Sequence, residues 1–246
     1  ANGRTLSPSV FQAIRYITKV GILTRSTWNE FFCNGTARWK RKQLRLLVKA
    51  KVLRPHPFEE IKDCFVLGHY GNQLVHEMKW KGVHFTQPQL IKHDETVAKG
   101  LVALERNKIC QRWLTEAELK IQKSNSFKLH NMDGGTKYPD AVLKIECKKN
   151  NLVLALEYER TLKSSWRYNK AIKSYSDSND FNLIIFIVES QTIEQSIKRS
   201  MRFIADHSLN SKIGFISIDD WLKNPLEASI RDLTKGKTFT EIVQNN

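Results

Sequence analysis

Residues 138–173 read YPDAVLKIECKKNNLVLALEYERTLKSSWRYNKAIK, and the fold of the whole chain hangs on how they are read. They divide into two strand-like runs joined by a polar turn, followed by a strongly basic helix. Asp140 opens the first run; Glu157 and Glu159 close the second at a spacing of two, which puts both carboxylates on one face of a sheet. A turn centred on Lys149-Asn150 sets Asp140 opposite Glu159 and diagonal to Glu157. Opposite and diagonal cross-strand neighbours lie roughly 5–8 Å apart, close enough for three carboxylates to share a divalent ion. Hard cations take such oxygen donors and neutralise the charge that develops on a phosphodiester. Asp140, Glu157 and Glu159 are therefore the expected metal ligands, with Mg²⁺ or Mn²⁺ the expected cofactor. The plainer alternative is that these acids are solvated or paired with Arg160 and Lys163.

The flanking sequence supplies an α/β framework. Upstream, a long helical pattern starts at His93-Asp94 and continues through Val97, Leu101, Leu104, Ile109, Trp113 and Leu119, a break around Asn107 being the alternative, with Glu116 near its end as a fourth candidate acid. A short strand over 127–130 and a glycine-rich turn over 131–135 lead into the acidic hairpin. Downstream, the helix over 163–176 carries Lys163, Arg167 and Lys170 on one face and Tyr168, Ile172 and Tyr175 on another. Lys163 is placed to hold an attacking or leaving oxygen. The run FNLIIFIV at 181–188 reads as a buried strand. A helix over 192–206, capped by a Thr192–Gln195 box, a strand over 213–218, a short helix and a polar tail complete a mixed sheet.

Residues 1–82 hold 15 Lys and Arg against 5 Asp and Glu, which places +10 of the chain's net +15 in one third of its length. Such a balance calls for a polyanionic partner, nucleic acid before membrane. Val10, Ile14 and Ile17 mark a first helix after Ser7-Pro8, residues 24–32 a second, and TARWKRKQLRLLVKA at 36–50 a third. Two short strand-like runs follow at 52–55 and 64–67. Three helices and a hairpin is the order of a winged helix-turn-helix, whose third helix enters the major groove. The expected DNA contacts are Arg38, Lys40, Arg41, Lys42, Arg45, Lys49 and Arg54, joined from the second domain by Arg167 and Lys170. Trp39 could stack on a sugar or base, but an aromatic at such a position is more often core. Domains are expected at 1–82 and 93–246 with a connector at 83–92.

The four cysteines are scattered singly, which predicts reduced thiols in a cytosolic protein, and the seven histidines form no close cluster. No apolar run approaches the roughly 20 residues of a spanning helix, so membrane insertion is not expected. The first 25 residues carry no signal-peptide pattern, and Ala1 in place of a methionine leaves room for residues upstream.

Pro139-Asp140, then Glu157-x-Glu159 closing an apolar strand, then a basic helix, resembles the PD-(D/E)xK nuclease superfamily. With the FVLGHYG segment at 65–71, His93-Asp94 opening a helix, Trp113-x-x-Glu116 and the winged start, the chain is similar to the replication-relaxation family, and in particular to the MobC relaxases of mobilisable cloacin-type plasmids. The resemblance implies a winged helix followed by a PD-(D/E)xK nuclease-like mixed-sheet domain in the bacterial cytoplasm. It implies single-strand nicking of plasmid DNA at a transfer origin, with a coupling protein of the conjugation machinery as partner. One departure stands out: the superfamily places a lysine two residues after the second acid, and here that position is Glu159, so Lys163 or Lys170 is expected to substitute. The rival readings are a non-catalytic plasmid replication or transcription regulator, and a restriction or repair endonuclease. A covalent role for Tyr138, Tyr158, Tyr168 or Tyr175 is a further alternative.

Overall fold

Pro8 at the first turn and the Ser7 side chain, which accepts from Val10 N at 3.4 Å, start helix α1 (Pro8–Val20) where the sequence predicts it. Its stripe of Val10, Ile14 and Ile17 is buried. The computed structural model of the chain describes residues 6–58, 62–83, 86–123, 125–131, 133–147, 151–204, 209, 211–233 and 236–245. The expected turn residues Lys149-Asn150, Met132 of the 131–135 turn, Asp206 at the expected helix end, and His84 and His207 lie outside them.

The chain forms two compact units, Ala1–Glu95 and Thr96–Asn246. In the first, α1 is followed by β1 (Leu23–Thr24), α2 (Arg25–Thr27) running into a π-helical turn at Trp28–Phe32, α3 (Ala37–Lys49), β2 (Leu53–Pro55), β3 (Cys64–Leu67) and α4 (His69–Glu77). The three strands make an antiparallel sheet in the order β1-β3-β2. Thr36 caps α3 by accepting from Trp39 N at 3.3 Å, and Leu44 and Leu47 anchor that helix in the core.

Helix α5 (Ile91–Arg106) crosses the division between the units and ends at the alternative break around Asn107. Trp113, read as helical from its spacing, belongs instead to β4 (Arg112–Thr115), the edge strand of the main sheet. Tertiary pairing with the next hairpin overrides the helical period there. Thr115 then caps α6 (Glu116–Gln122) in a reciprocal box with Glu118. The short strand expected over 127–130 exists, but as β5 (Leu129–His130) paired with β6 (Thr136–Lys137) in a separate two-stranded ribbon. β7 (Ala141–Glu146), β8 (Asn151–Glu159), α7 (Ser165–Ser176), β9 (Leu183–Val188), α8 (Gln191–Ile204), β10 (Ile213–Ser217), α9 (Ile218–Lys223) and α10 (Phe239–Asn245) follow.

The five-stranded sheet is mixed, in the order β10-β9-β8-β7-β4, with β8, β9 and β10 parallel and β7 antiparallel to both its neighbours. One face packs Val142, Ala155, Ile184, Phe186 and Phe215 against Tyr168, Ile172 and Tyr175 of α7 and Ile193 and Ile197 of α8. Each Val, Ile or Phe side chain among them taken from water contributes roughly 1.5–3 kcal/mol. On the other face Trp221 of α9 donates to Thr96 O at 3.0 Å, and it fits only because residue 100 is glycine: a Cβ there falls 2.1 Å from the indole. Helix α8 starts one residue early, with Ser190 accepting from Ile193 N at 3.4 Å in place of the Thr192 box. The expected polar tail contains α10, whose Phe239 and Ile242 are buried. All four cysteines are free thiols, three of them buried. Among the described residues no helix is long and apolar enough to cross a membrane.

Candidate functional site

Pairing of Thr115 with Ala141, and of Ala141 with Leu156, fixes one line across three strands. One step further, the line runs through Glu116, Asp140 and Glu157. Glu116 N donates to Asp140 O at 2.9 Å and Tyr158 N donates to Asp140 Oδ2 at 2.7 Å, so the line persists past the last ladder pair. Asp140 therefore stands opposite Glu157 and not opposite Glu159 as the assumed turn required. The connection between β7 and β8 is centred nearer β7, and the register shifts by two. A shift of two keeps every side chain on its face, so Glu157 and Glu159 still share the face that packs against α7, with Ala155 of the same alternation in that core. Four acids thus meet at one end of the sheet, one of them, Glu116, opening α6.

Both β8 carboxylates are only 5 % exposed, so neither is simply solvated. Glu157 Oε1 receives the Tyr175 hydroxyl and the Lys137 ammonium, each at 2.6 Å. Glu159 Oε1 receives Lys163 Nζ at 2.7 Å, while Glu159 Oε2 is buried with no hydrogen-bond partner. Burial pushes the Glu159 carboxyl above the usual carboxylate range; Lys163 pulls it down, and Glu157 and Asp140 add to the rise. Burial likewise raises Glu116, against an ion pair with Lys120 at 2.7 Å, and Asp140 and Glu157 push the same way. At Lys137 burial disfavours the ammonium, but the neighbouring Glu157, Asp140 and Glu159 outweigh it and hold the group protonated.

Lysine placement separates the two expected substitutes. Lys163 reaches the acids, whereas the Lys170 ammonium is taken by Asp133. Lys137 is the lysine that sequence reasoning missed. The β5–β6 ribbon delivers it: Gly134, at φ +78°, allows the left-handed turn that returns the chain to β6. The ribbon is fastened to α7 by Asp133 with Lys170 and by Ser174 Oγ donating to Asn131 Oδ1 at 3.1 Å. Arg167 is exposed on α7.

Burial disfavours the ionised form of three of the four candidate tyrosines. Tyr175 is held well above its ordinary range by burial and by Glu157. Tyr158 points to the opposite sheet face, bonded to Glu189, and burial raises it further. Tyr168 is raised by burial and accepts Lys163 N at 3.2 Å, and Tyr138 packs against the core.

In the first unit, Arg38, Arg41, Lys42, Arg45 and Lys49 of α3 and Arg54 of β2 are exposed. Lys40 is not part of this surface: its ammonium turns inward to Asn29 O at 2.5 Å. Trp39, expected in the core, is 48 % exposed with Lys42 Nζ 5.8 Å from its ring centroid. A groove of ≈ 510 Å³ beside α3 sets Arg25, Arg41, Arg45 and Lys49 over an apolar floor that includes Leu44 and Phe65. Arg25, which the α3 pattern does not signal, is brought in by the fold.

Among the described residues no three His, Cys, Asp or Glu side chains are gathered to hold a metal ion, and Glu157 and Glu159 are each paired with a lysine. The donor set is nonetheless the oxygen-only one that a hard divalent cation takes, and it includes the orphaned, buried Glu159 oxygen. The chain matches no protein-family model, no curated protein and no solved structure.

Proposed function

We propose that the chain is a metal-dependent DNA endonuclease of the PD-(D/E)xK kind with a winged-helix DNA-binding unit, and that it nicks one strand of duplex plasmid DNA at a transfer origin, as a MobC-type relaxase does. The observation that carries this reading is the buried, unpartnered Glu159 oxygen beside the row Glu116–Asp140–Glu157. A buried carboxylate oxygen without a partner destabilises a fold, so the orphaned Glu159 oxygen at the end of this row favours a bound cation. Asp140, Glu157 and Glu159 would hold Mg²⁺ or Mn²⁺, with Glu116 beside them; such an ion stabilises charge on a phosphoryl oxygen. Lys163 offers an ammonium to the same phosphate, and Lys137 holds the Glu157 carboxylate in place. The exposed cations of α3 and Arg54 neutralise duplex phosphates and set the register on DNA. A coupling protein would be the partner in transfer.

Supercoiled plasmid carrying a transfer origin, incubated with Mg²⁺ or Mn²⁺, should yield nicked circles that chelator and Asp140→Ala each abolish. Nicking by Asp140→Ala at the wild-type rate would sink the proposal. A second reading, an inert nuclease-like regulator, is favoured by the lysines that already neutralise Glu157 and Glu159; it gives site-specific binding and no cleavage with any divalent ion. Linear products in place of nicked circles would indicate a restriction or repair enzyme.

A further inference from the structure

Trp166, the second residue of α7, is 65 % exposed, and Leu162 just before the helix is 56 % exposed. The core side of α7 is already filled by Tyr168, Ile172 and Tyr175, so Trp166 adds nothing to packing. Its ring is nevertheless held in place: Lys170 Nζ lies 5.1 Å from the ring centroid, and that ammonium is fixed in turn by Asp133. An indole steadied by a cation and otherwise open is a surface prepared for a second flat group.

The surroundings indicate which group. Between Arg160 and Ser176 there are five cations, Arg160, Lys163, Arg167, Lys170 and Lys173, and no acid. An exposed aromatic among cations matches a nucleobase on a phosphate backbone, because the base supplies a π-face and the backbone the countercharge. Trp166 is three residues from Lys163, a chain reach of about 11 Å at most, and Lys163 touches Glu159 in the acid cluster. A base inside a duplex is stacked on both sides and has no face to offer.

We infer that Trp166 is a stacking platform for an unpaired nucleobase beside the acid cluster, so that the strand is engaged there locally single-stranded. The inference rests on the nucleic-acid reading above and deepens it.

The test uses the full chain in chelator, where no cleavage occurs, and fluorescence anisotropy with labelled oligothymidylate, oligouridylate and a blunt duplex. Trp166→Ala should weaken oligothymidylate binding about 5- to 150-fold, the range for loss of one stacked base. Trp166→Phe should retain most of it, and the duplex affinity of both should match the wild type. Preference of the wild type for oligouridylate, lost in Trp166→Ala, would support the platform and name RNA as its source. Wild-type affinity of Trp166→Ala for the single strands, or an equal loss on all probes, overturns it. A chain that binds single strands through Trp166 yet nicks nothing leaves the platform standing and defeats the nuclease reading alone.

Discussion

Lys137 Nζ lies 2.6 Å from Glu157 Oε1, so a lysine reaches the acid row from a separate ribbon although the Glu157-x-Glu159 pattern carries none. The same oxygen accepts the Tyr175 hydroxyl, and Lys137 Nζ lies 5.7 Å from the Tyr175 ring centroid. Cation, carboxylate and phenol tie the ribbon, the central strand and α7 together at the point where chemistry is proposed.

Lys137→Ala should therefore act on stability. Removing one partner of a fully buried ion pair costs about 3–5 kcal/mol. Lys137 is one-third exposed and Tyr175 still donates to Glu157, so a loss of about 2–3 kcal/mol is expected here. Urea unfolding reads it directly. A variant as stable as the wild type would show that the contact is incidental.

Lys163→Ala should act on rate. Its ammonium is 35 % exposed and bonds the carboxylate whose second oxygen is orphaned. Loss of one charged donor at a reacting phosphate slows turnover by about 10²–10³-fold. Lys170→Ala should slow nicking far less, since Asp133 holds that ammonium away from Glu159 and its loss loosens only the Trp166 ring and the ribbon. Equal defects in the two variants would break the distinction.

On α3 the inward turn of Lys40 predicts an asymmetry. Arg41→Ala and Arg45→Ala should weaken duplex binding and each flatten the dependence of log K on log salt by ~0.9 per lost phosphate contact. Lys40→Ala should leave the slope unchanged, because its ammonium is on Asn29 O. Titrations at several salt concentrations decide this, and a flattened slope for Lys40→Ala would contradict it.

Gly100→Ala probes the sheet's other face. The added methyl falls against the ring of Trp221, which is fully buried, and overpacking of this kind destabilises by about 1–3 kcal/mol. Thermal unfolding of Gly100→Ala at the wild-type temperature would refute the packing between α5 and α9.

What the sequence made legible followed from local pattern. Ser7-Pro8 announced α1, FNLIIFIV announced β9, and the spacing of Glu157 and Glu159 announced their shared face. What it hid depended on partners distant in the chain. β4 is four residues long, follows a helix, and is a strand only because β7 lies beside it. The true register of Asp140 depended on how β7 and β8 are joined, which no residue pattern states. Lys137 could not be tied to Glu157, twenty positions away, before the β5–β6 ribbon was known. Trp39 followed the general habit of aromatics, which its exposed position on α3 does not share.

The raised carboxyls give a pH signature that also tests for a metal. Glu159 and Glu116 are both pushed up by burial, so each binds its proton more tightly folded than unfolded. Their contribution to stability is fully present below the unfolded value of about 4.3 and is lost as pH rises through the higher folded values. In chelator, the wild type should thus lose stability relative to Glu116→Gln/Glu159→Gln as pH rises from about 4 to neutral. At neutral pH, Mg²⁺ at about 100 times its Kd should return roughly 2.7 kcal/mol to the wild type by mass action. It should return nothing to Asp140→Ala or to the double variant. A difference that does not change with pH would show that these carboxyls are ordinary, and a wild type indifferent to both Mg²⁺ and Mn²⁺ would leave the acid row without a cation to bind.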